Sequence, residues 1–274
     1  MTRRALALLV AAALVAACQP AARAPSGSSA AVPSVGSPAA LTVYGAASLQ
    51  GALEQVKAAY EASHPGTILT ISTDSSAALR TQIEQGAPAD VFLSADTTNP
   101  KKLVDAGLAD GQAVEFAGNL LTIVVPTANP AKIAAPADLA KPGVKIIGAG
   151  DDVPITKYAL QAVDLLAKQP GAPANFASGY AANVVSNEDN VKALIAKIEL
   201  GEGDAGIVYV TDAKASTKVR PVEIPAEANV PATYEGVVVK ASKDAAAGHA
   251  LLDWIAGAEG QKILATFGFL SPAS

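Results

Sequence analysis

The sequence predicts an α/β protein of two lobes, each a mainly parallel sheet flanked by helices, with a ligand cleft between them. Three observations carry this reading. From residue 41 onward, short apolar runs alternate with stretches of helical periodicity, which implies parallel strands joined by helical crossovers. Two strand-to-helix junctions, at Ser48 and at Ser75-Ser76, repeat one arrangement of strand, serine and amphipathic run. A middle segment is bounded by a long apolar strand ending at Pro126 and by a proline-punctuated return from Pro225 to Pro231, so one lobe is inserted into the other. The cleft between such lobes is the default ligand site.

The chain has 274 residues, enough for two lobes with proper cores. Half of them are hydrophobic, many of these Ala, and only 16% are charged, an ordinary soluble α/β composition. Residues 1–17 form a separate unit. Arg3 and Arg4 make a basic start, and Ala5 to Ala17 is an apolar run shorter than the roughly 20 residues that span a bilayer. It ends in Leu14-Val-Ala-Ala-Cys18, which resembles a bacterial lipobox, so residues 1–17 read as a lipoprotein signal peptide and Cys18 as the lipidation site. Cys18 is the single cysteine and has no internal disulfide partner, which favours an anchor. Residues 18–40, rich in Pro, Ser, Gly and Ala without periodicity, read as a flexible tether.

Taken in order, Leu41 to Gly45 suits a short buried strand. Ser48 then stands where an N-cap belongs, ahead of a helix carrying Leu49, Leu53, Val56 and Tyr60 on one face. Ile68 to Ser72 is a second strand, leading through Ser75-Ser76 into a helix with Leu79 and Ile83. Val91 to Ala95 is a third, and a helix from Asn99-Pro100 stops at Gly107. Asn119 to Pro126 is a longer strand, read as the first crossing. Beyond it lie a short helix at Pro136–Leu139, a strand at Val144–Gly148, helices at Thr156–Lys168 and Asn190–Leu200, and strands at Ile207–Val210 and Val219–Ile224. A strand at Glu235–Val239 and two helices, around Leu251–Ile255 and Gln261–Phe267, close the chain. The first lobe is thus expected from residues 41–122 and 236–274, the second from 126–232, with crossings at 122–126 and 226–235.

Much chemistry is excluded. Loss of residues 1–17 removes Arg3 and Arg4 and takes the formal charge from −5 to −7, which argues against nucleic acid as a partner. His64 and His249 lack Cys or acidic neighbours at metal-ligand spacing and read as exposed surface residues. Gly148-Ala-Gly150 fails as a dinucleotide loop because the third glycine position holds Val153. No phosphate-binding Gly-rich loop and no Gly-x-Ser-x-Gly elbow occur, and the serines have no evident base. Neither enzyme chemistry nor a cofactor is expected. What remains is the pair of serine-led helix starts, whose unpaired N–H groups and dipoles suit an anion.

An ordered set of motifs now carries a resemblance. It runs through Val43-Tyr-Gly-Ala-Ala-Ser-Leu49, Ser75-Ser76 with Gln82-Ile83, Gly86-Ala-Pro-Ala-Asp-Val-Phe-Leu-Ser-Ala-Asp96 and Gly118-Asn-Leu-Leu121. It continues with Asp152-Val-Pro154, Tyr158-Ala159, Glu188-Asp-Asn-Val191, Gly206-Ile-Val-Tyr209 and Phe267-Gly-Phe269. Together these resemble the periplasmic molybdate-binding protein family, the receptor component of molybdate/tungstate ABC importers, over residues 41–271. The resemblance implies a type II periplasmic-binding-protein fold and a site made from the hydroxyls and amides of Ser48 and Ser76, backbone N–H groups at Ile155 and Val191, and the Tyr209 hydroxyl. These would contact the oxyanion, and no residue would ligate a metal cation directly. Read singly, each has an ordinary structural role: helix cap for the serines, half-buried core for Tyr209, plain apolar packing for Ile155 and Val191.

Two positions depart from the family pattern. Val153-Pro-Ile-Thr156 stands where Val-Pro-Ala-Gly is usual, bringing a bulky side chain and a hydroxyl near the cleft. Asp74 replaces a small residue just before the serine pair; a carboxylate facing a dianion would repel it, so Asp74 is expected to point away or cap locally. The implied protein is a monomeric, lipid-anchored extracytoplasmic receptor whose partners are the anion and an ABC permease with its cytoplasmic ATPase. Rival readings are a receptor for another oxyanion such as sulfate, a secreted serine hydrolase, and the effector domain of a regulator, against which the signal sequence speaks.

Overall fold

The computed structural model describes residues 39–272. The signal peptide, Cys18 and nearly all of the tether lie outside the described residues; only the tether's last residue, Ala40, is already in a strand.

Ala40–Ala46 (β1) leads through a 3₁₀ turn, Ala47–Leu49, into Gln50–Ser63 (α1). Ile68–Asp74 (β2), Ser76–Glu84 (α2), Val91–Ser94 (β3), Thr98–Asp105 (α3) and Ala109–Asn119 (β4) follow. With the late strand Ala232–Val239 (β10), these strands make a five-stranded sheet in the order β2-β1-β3-β10-β4. β1 runs parallel to β2 and β3, and β10 antiparallel to β3 and β4. β3 is buried on both faces: Val91 and Leu93 join the main core, while Phe92 packs with Leu79, Ile83, Leu103 and Val237 under α2 and α3. That is why its sequence is continuously apolar rather than alternating.

The inserted segment contributes Leu121–Pro126 (β5), Ile146–Ala149 (β6), Pro154–Leu166 (α4), Phe176–Asn183 (α5), Val184–Glu188 (β7), Val191–Glu199 (α6), Gly206–Tyr209 (β8), Val210–Lys214 (α7) and Val219–Val222 (β9). Here β6 and β7 pair in parallel, but β5 is antiparallel to both β8 and β9, so this half is less parallel than expected. The reason is topological: β5 enters from the first sheet without a helical crossover before it, and its neighbours are supplied later in the chain.

The strand expected from Asn119 to Pro126 is divided between two sheets. β4 ends in the first sheet at Asn119 and β5 begins in the second at Leu121, so Leu121 to Pro126 is the central strand of the second sheet, and the chain passes over at Leu120. All of Leu121 to Val125 are buried. The return is complete by Ala232, which pairs with Asn119. Asn229 stitches the two passages together: its Oδ1 accepts the Leu121 N–H at 2.9 Å and its Nδ2 donates to the Leu121 carbonyl at 2.8 Å.

Helices Ala245–Ala256 (α8) and Ala258–Phe267 (α9) pack on the first sheet and on α1. Their contact is close enough to require glycine at 260, where a Cβ would lie 2.3 Å from the Ile255 carbonyl oxygen. Gly260→Ala is expected to cost about 2 kcal/mol, within the range for overpacking, with anion binding unchanged; equal denaturation midpoints for variant and parent would refute it. Neither histidine is a free surface residue. His64 stacks on Tyr60 with ring centroids 3.9 Å apart, and His249 Nε2 meets Asp110 Oδ2 at 3.1 Å.

Candidate functional site

Four helix starts face one small cavity. Its walls are Ala46 to Ser48, Ser75-Ser76, Ala95, Val153 to Ile155, Asn190-Val191 and Tyr209, around a volume of about 10 Å³. All five positions expected from the sequence, Ser48, Ser76, Ile155, Val191 and Tyr209, are brought together here, and all are buried. No lining residue is charged. A much larger groove beside the crossings, lined by Leu121, Val210 and Pro231 among others, contains none of the five.

The local structure explains which donors remain available. Ser75, not Ser76, caps α2: its Oγ accepts the Ala78 N–H at 3.2 Å. Ser48 caps nothing either, because it lies inside the 3₁₀ turn that Ala46 precedes. Ser48, expected at an N-cap position, is therefore not a cap, and for both Ser48 and Ser76 the hydroxyl is left for other work. At α6, Asn190 Oδ1 accepts from the Lys192 and Ala193 amides, both at 3.0 Å, which leaves the amide of Val191. At α4, Pro154 occupies the first position and the Thr156 N–H turns back to the Val153 carbonyl, which leaves the amide of Ile155. First-turn amides have no intrahelical acceptor, so these two, on residues that line the cavity, are unclaimed donors among the described residues.

The hydroxyls are set as donors by their neighbours. Asn119 Nδ2 donates to Thr211 Oγ1 at 2.9 Å and to the Tyr234 hydroxyl at 3.3 Å. Ser48 Oγ and the Tyr234 hydroxyl share a hydrogen bond at 2.9 Å in which either can donate; because Tyr234 already accepts from Asn119, its own proton is available to Ser48, which frees the Ser48 proton for a ligand. Ser76 Oγ accepts the Ala95 N–H at 3.1 Å, which likewise leaves its proton to donate. The Tyr209 hydroxyl is buried without a hydrogen-bond partner among the described residues, a costly arrangement unless something else accepts from it. Its ring is held edge-on between Tyr158 and Tyr234, at centroid distances of 6.4 and 5.7 Å. Burial pushes the Tyr209 and Tyr234 phenols well above their ordinary range, so both stay protonated donors.

Such a site offers protons and accepts none. It suits an anion stripped of water and held by dipoles alone, and it rejects a species that must donate a proton back. It does not suit nucleophilic catalysis, because Ser48 meets a phenol, Ser76 meets an amide, and neither meets a base.

The two departures resolve differently. Ile155 lines the cavity, but the Thr156 hydroxyl, expected near the cleft, turns away to the Ala149 and Gly150 carbonyls, each at 2.9 Å. Asp74 caps locally, accepting the Ser75 N–H at 2.7 Å, and also accepts from Asn190 Nδ2 at 2.9 Å. Sequence reading missed Tyr234 and Asn119, which orient Ser48 from elsewhere in the sheet. It also missed Asn190 as a lining residue, although an Asn before an apolar helical run is a readable cap.

A sequence profile of the bacterial extracellular solute-binding protein family matches residues 41–270. The molybdate-binding protein ModA of Mycobacterium tuberculosis is 35% identical over 233 residues, covering 85% of each chain. Among solved structures, the periplasmic molybdate-binding protein of Azotobacter vinelandii superposes with a TM-score of 0.71 at 24% identity, covering 85% of this chain and all of that one. The sulfate-binding protein SubI of Mycobacterium tuberculosis superposes with a TM-score of 0.75 at 23% identity, covering 84% and 86%. At these identities the two structures speak for the fold, the type II periplasmic-binding-protein fold. With that fold and a profile match over residues 41–270, the chain belongs to the bacterial extracellular solute-binding protein family and is, like its relatives, a binding protein and not an enzyme.

Proposed function

We propose that this chain is a lipid-anchored extracytoplasmic receptor that binds molybdate or tungstate and delivers it to an ABC permease with its cytoplasmic ATPase. The observation that carries the reading is the donor-only cavity: Ser48, Ser76 and Tyr209 supply hydroxyls, and the helix starts at Ile155 and Val191 supply amides, with no charged side chain in the wall. A tetrahedral dianion has four oxygens to accept from such a shell and no proton to return. The likeness to molybdate-binding relatives supports the same ligand.

In this reading the first lobe runs from residue 39 to 119 and resumes at 232, the second spans 121 to about 230, and Leu120 and Asn229 to Pro231 are the hinge. The anion touches both lobes only when they are together, so binding shifts the population toward the closed form. Calorimetric titration of the protein with molybdate, tungstate, sulfate and phosphate tests the assignment. Molybdate and tungstate are expected to bind with similar affinity and sulfate, being smaller, more weakly. Binding of sulfate in preference to molybdate would reassign the receptor to that anion, and binding of none would overturn the site.

The anchor is proposed from Leu14-Val-Ala-Ala-Cys18. Cys18→Ser is expected to release the protein from the membrane fraction; unchanged processing and sedimentation would refute lipidation.

A further inference from the structure

We propose that Asp74 is a positioning residue of the oxyanion site, acting through Asn190 to set the spacing of two anion-binding helix starts before the anion arrives. The proposal rests on the reading of the cavity given above. Asp74 is the last residue of β2 and pairs in register with Ala46, itself part of the cavity wall. Its Oδ1 accepts two protons, one from the Ser75 amide at 2.7 Å and one from Asn190 Nδ2 at 2.9 Å. The first holds the β2–α2 junction that carries Ser76. The second reaches across 116 residues of sequence to the other sheet's side of the cleft.

Asn190 is held at both its oxygen and its nitrogen. Its Oδ1 accepts the Lys192 and Ala193 amides that open α6, and its Nδ2 donates to Asp74. One side chain thereby ties the first turn of α6, with the Val191 amide, to the start of α2, with the Ser76 hydroxyl. A small residue at 74 would leave Nδ2 without this acceptor and remove this link between the two helix starts. The carboxylate does not confront the anion either: Asp74 is not among the residues that line the cavity, and Ser75 and Asn190, which do, both donate to its Oδ1. A residue that looks electrostatically wrong beside a dianion site is thus an acceptor that fastens the site across the cleft.

The test measures the distance between α2 and α6 without anion. Spin labels are placed at the exposed positions Gln82 and Ala196 of the full chain, with Cys18→Ser so that no other thiol competes. The parent is expected to show one narrow distance distribution. Asp74→Ala should widen and lengthen it. Asn190→Asp should do the same, since Asp keeps the α6 cap but sets two carboxylates face to face. Combining Asp74→Asn with Asn190→Asp exchanges donor and acceptor and should restore the parent distribution, a rescue that a merely structural role would not produce. Circular dichroism should be unchanged throughout. Single variants that match the parent, or a double variant as wide as Asn190→Asp, would overturn the proposal. No anion enters these measurements, so a failure of molybdate to bind the parent in calorimetry would count against the proposed ligand and not against this contact.

Discussion

Tyr209→Phe is expected to weaken molybdate binding about ten- to a hundredfold while leaving the ligand-free protein as stable as the parent, or more so. The two signs follow from one observation. The hydroxyl is buried and has no partner among the described residues, so in the ligand-free protein it is a desolvation cost without a compensating bond. Bound anion would supply the acceptor, and a hydrogen bond to a charged group contributes about 1.5–3 kcal/mol, where about 1.4 kcal/mol is tenfold in affinity. Phenylalanine keeps the ring and its edge-on contacts with Tyr158 and Tyr234, so the packing survives. Ser48→Ala and Ser76→Ala should lose affinity to a similar extent, and tungstate should report the same losses. Titration calorimetry and thermal unfolding without anion, on the same preparations, check both halves. Three variants that bind as the parent does would place the anion elsewhere; a Tyr209→Phe protein that melts well below the parent would show that the hydroxyl has a structural partner.

Lys192→Met is expected to cost about 2–3 kcal/mol of stability at pH 7 and much less near pH 4. Asp212 is completely buried one turn beyond Tyr209, and the Lys192 ammonium stands 3.0 Å from its Oδ1 as an ion pair that falls short of an aligned hydrogen bond. Burial pushes the Asp212 carboxyl above its ordinary value of 3.8, and Lys192 offsets part of that rise. A carboxyl whose folded pKa lies above its unfolded one binds its proton more tightly in the native state. Its ionisation therefore lowers stability as pH climbs from the unfolded pKa through the folded one. Removing the ammonium enlarges that penalty wherever the carboxylate is charged, and does little below the unfolded pKa, where both states are neutral. Breaking a buried pair costs about 3–5 kcal/mol; the figure here is set lower because the lysine is 30% exposed. Denaturant titrations at pH 7 and pH 4 measure the difference, and an equal cost at both would sink the explanation.

Some elements were legible and some were not, for identifiable reasons. The strands β1, β2, β3 and β8 are short apolar runs and were read nearly at their true limits. β4 was missed because it carries Asp110, Gly111, Gln112 and Glu115 on a half-exposed strand at the sheet edge, where neither alternation nor a continuous apolar run develops. α5 and β7 were missed as well. Helix α5 has almost no amphipathic contrast, and its Gly179, poor in helix propensity, is there because a Cβ would lie 3.0 Å from Ala140.

The residues by themselves determined the α/β class and the two serine-led junctions; the five positions that meet at the cavity came from the resemblance to a known family. Strand–serine–helix junctions are local, and their ordered spacing survives in a linear reading. The sequence also determined that no charged residue stands at any of those five positions. Only the tertiary structure decided what each group can do there. Whether Ser48 donates depends on Tyr234, 186 residues away; that Ser76 donates follows from Ser75 taking the cap and Ala95 occupying its lone pair. That Asp74 fastens the site instead of repelling its ligand depends on Asn190 across the cleft. A hydroxyl or carboxylate acquires its direction from the partners that fill its other valences, and those partners become neighbours only when the chain has folded.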